Sequence, residues 1–116
     1  MAVTIYHNPR CSKSRQTLAL LESRGLAPRV VEYLRNPPDR ATLAALLCKL
    51  GMPARELVRR SEPEFAILGL DAPGVSDEEL LDALATHPKL IERPIVVVGR
   101  QARIGRPPEA VLEILP

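Results

Sequence analysis

Two short runs of strand-forming residues lie near opposite ends of this chain. Residues 2–6 are rich in β-branched and aromatic side chains, and the His-Asn-Pro sequence that follows them is typical of a turn. Residues 94–98 are almost entirely apolar, as in a buried strand, and residues 99–101 predict a tight turn into a short hairpin partner at 102–104. The sequence therefore predicts strands at both ends of the chain.

A strand-helix-strand unit is predicted at the amino-terminal end. Residues 12–24 favour a helix in which Leu18 and Leu21 lie one turn apart, and Gly25 can end it. Residues 30–34 then predict a second strand. Because a long crossover joins the two strands, we expect them to be parallel.

A block of helical patterns separates the second strand from the third. Its clearest member is a set of four leucines with the spacing i, i+3, i+4, i+7, which predicts an amphipathic helix. These are Leu43, Leu46, Leu47 and Leu50. Asp39 can cap this helix, while Ser76 and Glu79 have the spacing of a capping box for a later helix that ends at His87. We therefore expect a helical insertion at about residues 39–87.

The order of the predicted elements defines a fold class. It is β-α-β, the helical insertion, then β-β-α, with a last helix opened by Pro107 and Pro108. This order fits an α/β domain of the thioredoxin-like fold with a four-stranded mixed sheet. The 116 residues lie within the usual size range of one domain, so we expect residues 1–116 to form a single domain.

Composition excludes several classes of protein. With 46% hydrophobic and 26% charged residues, the chain is typical of a soluble globular protein. A net charge of +2 and an aromatic content of 3% argue against binding to nucleic acid. The amino terminus has no secretory signal pattern, and the longest apolar strand-like run is too short to cross a bilayer. We therefore expect a cytoplasmic protein without a membrane or nucleic-acid partner.

Cys11 is the candidate nucleophile, because it follows a strand and a turn and directly precedes a helix. Unpaired N–H groups and the helix dipole favour a thiolate there, as do Arg10, Lys13 and Arg15 nearby in sequence. Lowering the pKa by about two units from roughly 8.5 would raise the thiolate fraction at neutral pH from about 3% to roughly three quarters. That shift needs about 2.7 kcal/mol, more than the ~0.3–1 kcal/mol of a dipole alone, so an arginine or loop N–H groups must contribute. The alternative role for Cys11 is helix capping or packing.

The other candidate residues limit what Cys11 can do. Ser14 occupies the position of the second thiol in a Cys-x-x-Cys motif, and Thr17 occupies the position of the arginine in a tyrosine-phosphatase loop. Cys48 follows Leu47 in the leucine-rich helix, where a small buried or half-buried residue is expected. Any adduct on Cys11 must then be resolved by an external thiol such as glutathione. The spacing of the cysteines and histidines does not predict a zinc site.

Several short motifs, taken in their order and spacing, resemble the glutaredoxin-coupled arsenate reductase family over essentially the whole chain. They are Tyr6-His7-Asn8-Pro9-x-Cys11-x-x-Ser14-Arg15, Asn36-Pro37-Pro38, Arg59, Glu92-Arg93-Pro94-Ile95-Val96-Val97 and Arg106-Pro107. The resemblance implies a thioredoxin-like fold and an arsenic-detoxifying oxidoreductase in which Cys11 attacks arsenate. It further implies that Arg59, Arg93 and Arg106 hold the oxyanion, and that glutathione and glutaredoxin resolve the adduct to release arsenite. No tightly bound cofactor or metal is implied.

The resemblance also assigns supporting residues. Ser14 and Arg15 belong to the motif around the cysteine, and Arg93-Pro94 resembles the cis-proline turn that thioredoxin-like folds place beside the active cysteine. His7 either helps to hold Cys11 as a thiolate or serves as a turn residue that is hydrogen-bonded to the backbone. For Arg59, Arg93 and Arg106 the alternative is a solvated surface charge or an ion pair to a glutamate, and Arg60 could exchange roles with its neighbour Arg59.

One departure from the family pattern and two rival functions complete the hypothesis. Ser12 and Lys13 stand where characterised members of the family tend to carry Gly-Thr, which resembles a reductase-like subgroup whose physiological substrate is not established. One rival is a thioredoxin-fold regulator that binds RNA polymerase, although such proteins generally use a Cys-x-x-Cys switch. The other is a monothiol glutathione or iron-sulfur binding module, because the sequence from Cys11 to Ser14 superficially resembles Cys-Gly-Phe-Ser.

Overall fold

A four-stranded mixed sheet organises the chain in this computed structural model, which describes residues 2–116. Strand β1 (Val3–His7) pairs in parallel with β2 (Arg29–Glu32) and antiparallel with β3 (Ile95–Val98). Strand β3 pairs antiparallel with β4 (Gln101–Ile104), so that the order across the sheet is β2-β1-β3-β4. The predicted α/β class and mixed sheet are confirmed, with strand bounds shifted by one or two residues.

The sheet belongs to a first compact unit, which comprises the described residues up to Asn36 together with Arg93–Pro116. Helix α1 (Ser12–Ser23) is the crossover between β1 and β2, which explains why those two strands are parallel. One core cluster lies beneath the sheet and includes the buried residues Ile5, Leu21 and Val96. Burying these apolar side chains provides the main driving force for this unit.

The last helix differs from its sequence-based prediction. Residues Pro108–Ile114 form a 3₁₀ helix instead of the predicted α-helix. Its buried residues Pro108, Val111 and Ile114 are three apart, which is the period of a 3₁₀ helix rather than of an α-helix. The spacing of the side chains that face the core therefore selects the tighter helix.

A second compact unit, Pro37–Glu92, contains the helical insertion. It comprises four α-helices and a short 3₁₀ helix: α2 (Arg40–Leu50), α3 (Ala54–Leu57), α4 (Pro63–Ile67), α5 (Asp77–Thr86) and Pro88–Leu90. Helix α5 packs against α2 and α3. None of the helices in residues 2–116 combines the length and apolar character needed to cross a bilayer.

The helix caps of the second unit match their predictions. The Asp39 carboxylate accepts a hydrogen bond of 2.8 Å from the backbone N–H of Thr42 at the start of α2. Ser76 and Glu79 form a reciprocal capping box at the start of α5, and His87 follows its end. Caps of this kind satisfy the N–H groups that the first turn of a helix leaves without partners.

The expectation for Cys48 is wrong, because its side chain is exposed. Leu43 and Leu46 are the buried residues of α2. Each residue of an α-helix is rotated by about 100° from the previous one, so Cys48 points away from the face that Leu46 buries. The neighbouring Leu47 is only half-buried, which marks the edge of that face.

Candidate active site

Cys11 lies where the chain turns from β1 into α1. Its backbone is extended, with φ of −95° and ψ of 122°, at the position that caps the helix. Its N–H donates to the carbonyl of Asn8 at 3.0 Å, which closes the turn between strand and helix. Cys11 is 8% exposed, so the residue is largely shielded from bulk water. This is the strand-turn-helix context that the sequence predicts.

The surroundings of Cys11 favour its thiolate. Burial by itself would raise the pKa of the thiol, but the backbone N–H groups of Ser14 and Lys13 and the Arg93 guanidinium lower it by more. The resulting pKa lies below the ordinary value of a cysteine. A guanidinium therefore helps the helix start to lower the pKa of the thiol. This agrees with the expectation that the helix dipole alone is too weak to do so.

A second guanidinium lies against the sulfur. Nη2 of Arg106 is 3.4 Å from Sγ of Cys11, and Nε of Arg106 donates to the carbonyl of Arg93 at 2.7 Å. Arg93 directly precedes Pro94, and Arg106 directly precedes Pro107. Both X-Pro peptide bonds are cis, so the expected cis-proline at Pro94 is confirmed.

The sheet explains why these residues meet. In the β3–β4 hairpin Ile95 pairs with Ile104, so Arg93 and Arg106 lie at the same end of the two strands. Tyr6 pairs with Ile95, which brings the end of β1 to that edge as well. The loop that carries Cys11 therefore emerges beside both arginines.

Gly105 is a residue that sequence reasoning missed. Its N–H donates to the carbonyl of Pro94 at 2.9 Å, directly before Arg106. A Cβ atom at this position would lie 2.5 Å from Oγ1 of Thr17 and 2.8 Å from Cγ of Pro94, closer than real side-chain contacts allow. The absence of a side chain lets the Arg106 segment approach α1, and the available signal was a glycine immediately before Arg106-Pro107.

His7 and Ser14 form a buried pair beneath the loop. Oγ of the fully buried Ser14 lies 2.6 Å from Nδ1 of His7 and accepts a hydrogen bond of 3.0 Å from the N–H of Asn8. Burial is the main cause that lowers the pKa of His7; Glu32 opposes it and Arg15 adds to it. A lowered pKa favours neutral imidazole at neutral pH, which argues against a charge on His7 that holds the thiolate. His7 is the last residue of β1 and its ring contacts the hydroxyl of Ser14, so it is not the backbone-bonded turn residue of the other prediction either.

Arg15 and Asn8 restrain the outside of the same loop. Nη1 of Arg15 donates to the carbonyl of Pro9 at 3.0 Å. Oδ1 of Asn8 accepts from the N–H of Arg10 at 3.0 Å, which is an Asx turn. These contacts fix the backbone that precedes Cys11.

Arg59 and Arg60 lie in the second unit and have different partners there. Nη1 of Arg59 is 3.5 Å from Oε1 of Glu62, and its Nε is 3.6 Å from Oε1 of Glu92. The exposed Arg60 places its guanidinium 5.6 Å from the centre of the Phe65 ring, a cation-π contact. Only 17% of the Arg59 side chain is exposed, so Arg59 is the inner member of the pair within its unit.

No cluster of metal-binding side chains occurs in the part of the chain that the structure describes. The site instead consists of one thiol, two guanidinium groups and oriented backbone N–H groups. Such an arrangement suits a tetrahedral oxyanion, because guanidinium and N–H donors bind the oxygens while a thiolate can attack the central atom. Sheet and site together define a thioredoxin-like protein whose candidate site contains a single cysteine.

The chain belongs to the ArsC family, whose match covers residues 6–114. The "Arsenate reductase" of Rhizobium meliloti (strain 1021) is 53% identical over 116 residues, which is all of this chain and 83% of that protein. The "Uncharacterized protein YfgD" of Escherichia coli (strain K12) is 57% identical over 114 residues, which is 97% of this chain and 96% of that protein. These matches confirm the family resemblance.

A solved structure gives the same result for the fold. The arsenate reductase from Vibrio cholerae superposes with a TM-score of 0.97 at 54% sequence identity, covering 99% of this chain and 98% of that one. The thioredoxin-like fold class is thereby confirmed.

Proposed function

We propose that this protein is an arsenate reductase in which the thiolate of Cys11 attacks arsenic. The single observation that carries the proposal is the position of Sγ, 3.4 Å from a guanidinium nitrogen of Arg106 and with its pKa lowered by Arg93 and by backbone N–H groups. Relatives that bear the name arsenate reductase, at 53% and 48% identity over at least 99% of the chain, support it.

The proposed first step joins sulfur to arsenic. Arsenate carries about two negative charges at neutral pH, which the forked guanidinium groups of Arg93 and Arg106 can bind in pairs of hydrogen bonds. The Cys11 thiolate forms the S–As bond, and one arsenate oxygen leaves as water after taking up protons. Neutralising the oxyanion lowers the barrier, because otherwise an anionic nucleophile must approach an anion.

The proposed reducing equivalents come from two external thiols. Ser14 occupies the place of a nearby second cysteine, so the protein lacks the short-range dithiol of a Cys-x-x-Cys enzyme. Glutathione displaces a second oxygen from the Cys11 adduct as water, and a glutaredoxin thiolate then attacks the glutathione sulfur. The electron pair of the broken As–S bond stays on arsenic, which is reduced from As(V) to As(III), and the two external thiols leave as a mixed disulfide. Water then hydrolyses the remaining bond between arsenic and Cys11, which releases arsenite and the Cys11 thiol. We propose that the reaction uses no tightly bound cofactor. We also propose that the protein acts in the cytoplasm, where both thiols are available.

The remaining proposed roles rest on the family resemblance and on local contacts. Arg59 is proposed, on the family resemblance, as a third oxyanion ligand, and within its own unit it is paired with Glu62 and Glu92. Pro94 is proposed to hold the segment that precedes Arg106, because its carbonyl accepts a hydrogen bond from the N–H of Gly105. His7, Ser14 and Arg15 hold the loop of Cys11 in place.

A coupled assay tests the function. Arsenate, glutathione and glutaredoxin are combined with glutathione reductase, and oxidation of NADPH is followed. The protein should support arsenate-dependent oxidation, Cys11→Ser should abolish it, and the matched variant Cys48→Ser should largely retain it because Cys48 is exposed on α2. Undiminished activity of Cys11→Ser would contradict the proposal, as would an absence of arsenate-dependent turnover in the unaltered protein.

A further inference from the structure

A pocket of about 230 Å³ lies on the first unit beside the loop that precedes Cys11. Residues 7–10 line one side of it, and Glu32, Leu34 and Arg35 from the end of β2 and the turn after it line the other. This volume is below the ~300–1,000 Å³ typical of sites for drug-sized ligands. The pocket therefore has room for the end of a small peptide while the rest of such a ligand remains outside.

Three charged side chains line this pocket: Arg10, Glu32 and Arg35. Arg10 and Arg35 are exposed, Glu32 is half-buried, and within residues 2–116 none of the three side chains forms an ion pair or a hydrogen bond. Two guanidinium groups and one carboxylate complement a ligand with two carboxylates and one ammonium group. The exposed Leu34 adds an apolar surface for methylene groups of that ligand.

The pocket is also within reach of the reacting sulfur. Its lining residue Arg10 is adjacent to Cys11, and neighbouring Cα atoms are about 3.8 Å apart. An extended tripeptide spans roughly 10 Å, so one end can occupy the pocket while a thiol elsewhere on the ligand lies over the loop.

We propose that this pocket binds the thiol co-substrate, a small peptide thiol with two carboxylates and one ammonium group, of which glutathione is an example. The assignment rests on the proposed function, since it supplies the binding site for the thiol that the Cys11 adduct requires. Arg35 and Arg10 bind carboxylates, and Glu32 binds the ammonium group.

The test uses Arg35→Ala, with Arg24→Ala as the matched control. Both arginines are exposed on the first unit, but Arg24 follows α1 and does not line the pocket. S-methylglutathione, which cannot react, serves as the probe, and its binding to the full chain is measured by calorimetry. Arg35→Ala should weaken binding by about tenfold, the low end for a lost charge-assisted hydrogen bond, whereas Arg24→Ala should not weaken it. Arg35→Lys keeps the charge and should restore part of the affinity.

Kinetics separate this inference from the function on which it rests. In the coupled assay Arg35→Ala should raise the KM for glutathione by a similar factor, and the effect should fall on glutathione rather than on arsenate. Equal S-methylglutathione affinity in Arg35→Ala and Arg24→Ala would overturn the pocket assignment while leaving the arsenate reductase proposal intact. A KM increase for glutaredoxin instead of glutathione would also overturn it, since the pocket would then contact the protein partner. Loss of probe binding in Arg35→Ala together with no arsenate turnover in the unaltered protein would support the pocket and refute the reductase function.

Discussion

Nη2 of Arg106 lies 3.4 Å from Sγ of Cys11, although 95 positions separate the two residues in the sequence. The β3–β4 hairpin and its pairing with β1 bring them together, and the bond from Nε of Arg106 to the Arg93 carbonyl fixes the direction of the guanidinium. A donor group held so close to the sulfur also lies beside any oxyanion that binds to that sulfur. The contact that stabilises the resting thiolate can therefore stabilise the charge of an adduct.

Replacing Arg93 by Ala should raise the pKa of Cys11, because the Arg93 guanidinium is one of the groups that lower it. The measurement is the rate of Cys11 alkylation as a function of pH, made in a Cys48→Ser background so that the exposed second thiol does not react. Arg100→Ala is the control, since Arg100 is exposed in the turn between β3 and β4. If the alkylation profile of Arg93→Ala matched that of the control, Arg93 would have no role in activating the sulfur.

The lowered pKa of Cys11 should also make folding stability depend on pH. The folded state releases the thiol proton more readily than the unfolded chain, so the stabilising contribution is complete above the unfolded-state pKa and is lost as pH falls through the folded-state value. The difference in free energy of unfolding between the protein and Cys11→Ser should therefore increase with pH. The increase should occur between the lowered pKa of Cys11 in the folded state and the ordinary cysteine pKa of the unfolded chain. Urea denaturation at several pH values measures this, and a difference that stayed constant would mean that the thiolate is not favoured in the folded state.

The strands and capped helices could be predicted because their signals are local. Apolar β-branched runs define β1 and β3, and the Asp39 cap and the Ser76 capping box act through side chains three residues from their partners. The 3₁₀ form of residues Pro108–Ile114 could not be predicted in this way, because the choice depends on which residues face the core. The same dependence on tertiary packing explains why Cys48 is exposed in a leucine-rich helix.

For the candidate site, sequence spacing placed Cys11 at a helix start but did not place its partners. Arg93 and Arg106 were selected by family resemblance, and their approach to the sulfur depends on strand pairing between distant segments. Gly105 was missed because its importance lies in the atoms of Thr17 and Pro94 that surround it. Predicting a glycine from a turn relies on backbone angles, whereas Gly105 is required because neighbouring atoms leave no space for a Cβ atom.

Arg59→Ala should lower kcat/KM for arsenate. The loss should correspond to at least about 1.5 kcal/mol of transition-state stabilisation, the lower value for a hydrogen bond to a charged group. Arg60→Ala is the matched control, since the neighbouring Arg60 is exposed and contacts Phe65. Steady-state kinetics with varied arsenate measure both variants, and thermal unfolding shows whether loss of the partner of Glu62 and Glu92 disturbs the second unit. If kcat/KM for arsenate fell more in Arg60→Ala than in Arg59→Ala, Arg60 and not Arg59 would be the oxyanion ligand.

Gly105→Ala should both destabilise the protein and displace Arg106 from the sulfur. The added methyl group would meet Oγ1 of Thr17 at 2.5 Å and Cγ of Pro94 at 2.8 Å, and overpacking of this kind typically costs about 1–3 kcal/mol. Because Arg106 is the next residue, relief of the clash moves its guanidinium, so kcat/KM for arsenate should fall and the pKa of Cys11 should rise.

A double variant separates this steric effect from other causes. Thr17→Ala removes both Thr17 atoms that the new methyl group would meet, at 2.5 and 3.1 Å, so adding it to Gly105→Ala should recover part of the lost stability and activity. Since the two residues are in contact, their effects should be non-additive when unfolding free energies of the single and double variants are compared. Strict additivity would show that Thr17 is not the source of the clash. A Gly105→Ala variant with unchanged stability and arsenate kinetics would show that the segment before Arg106 can shift without moving the guanidinium.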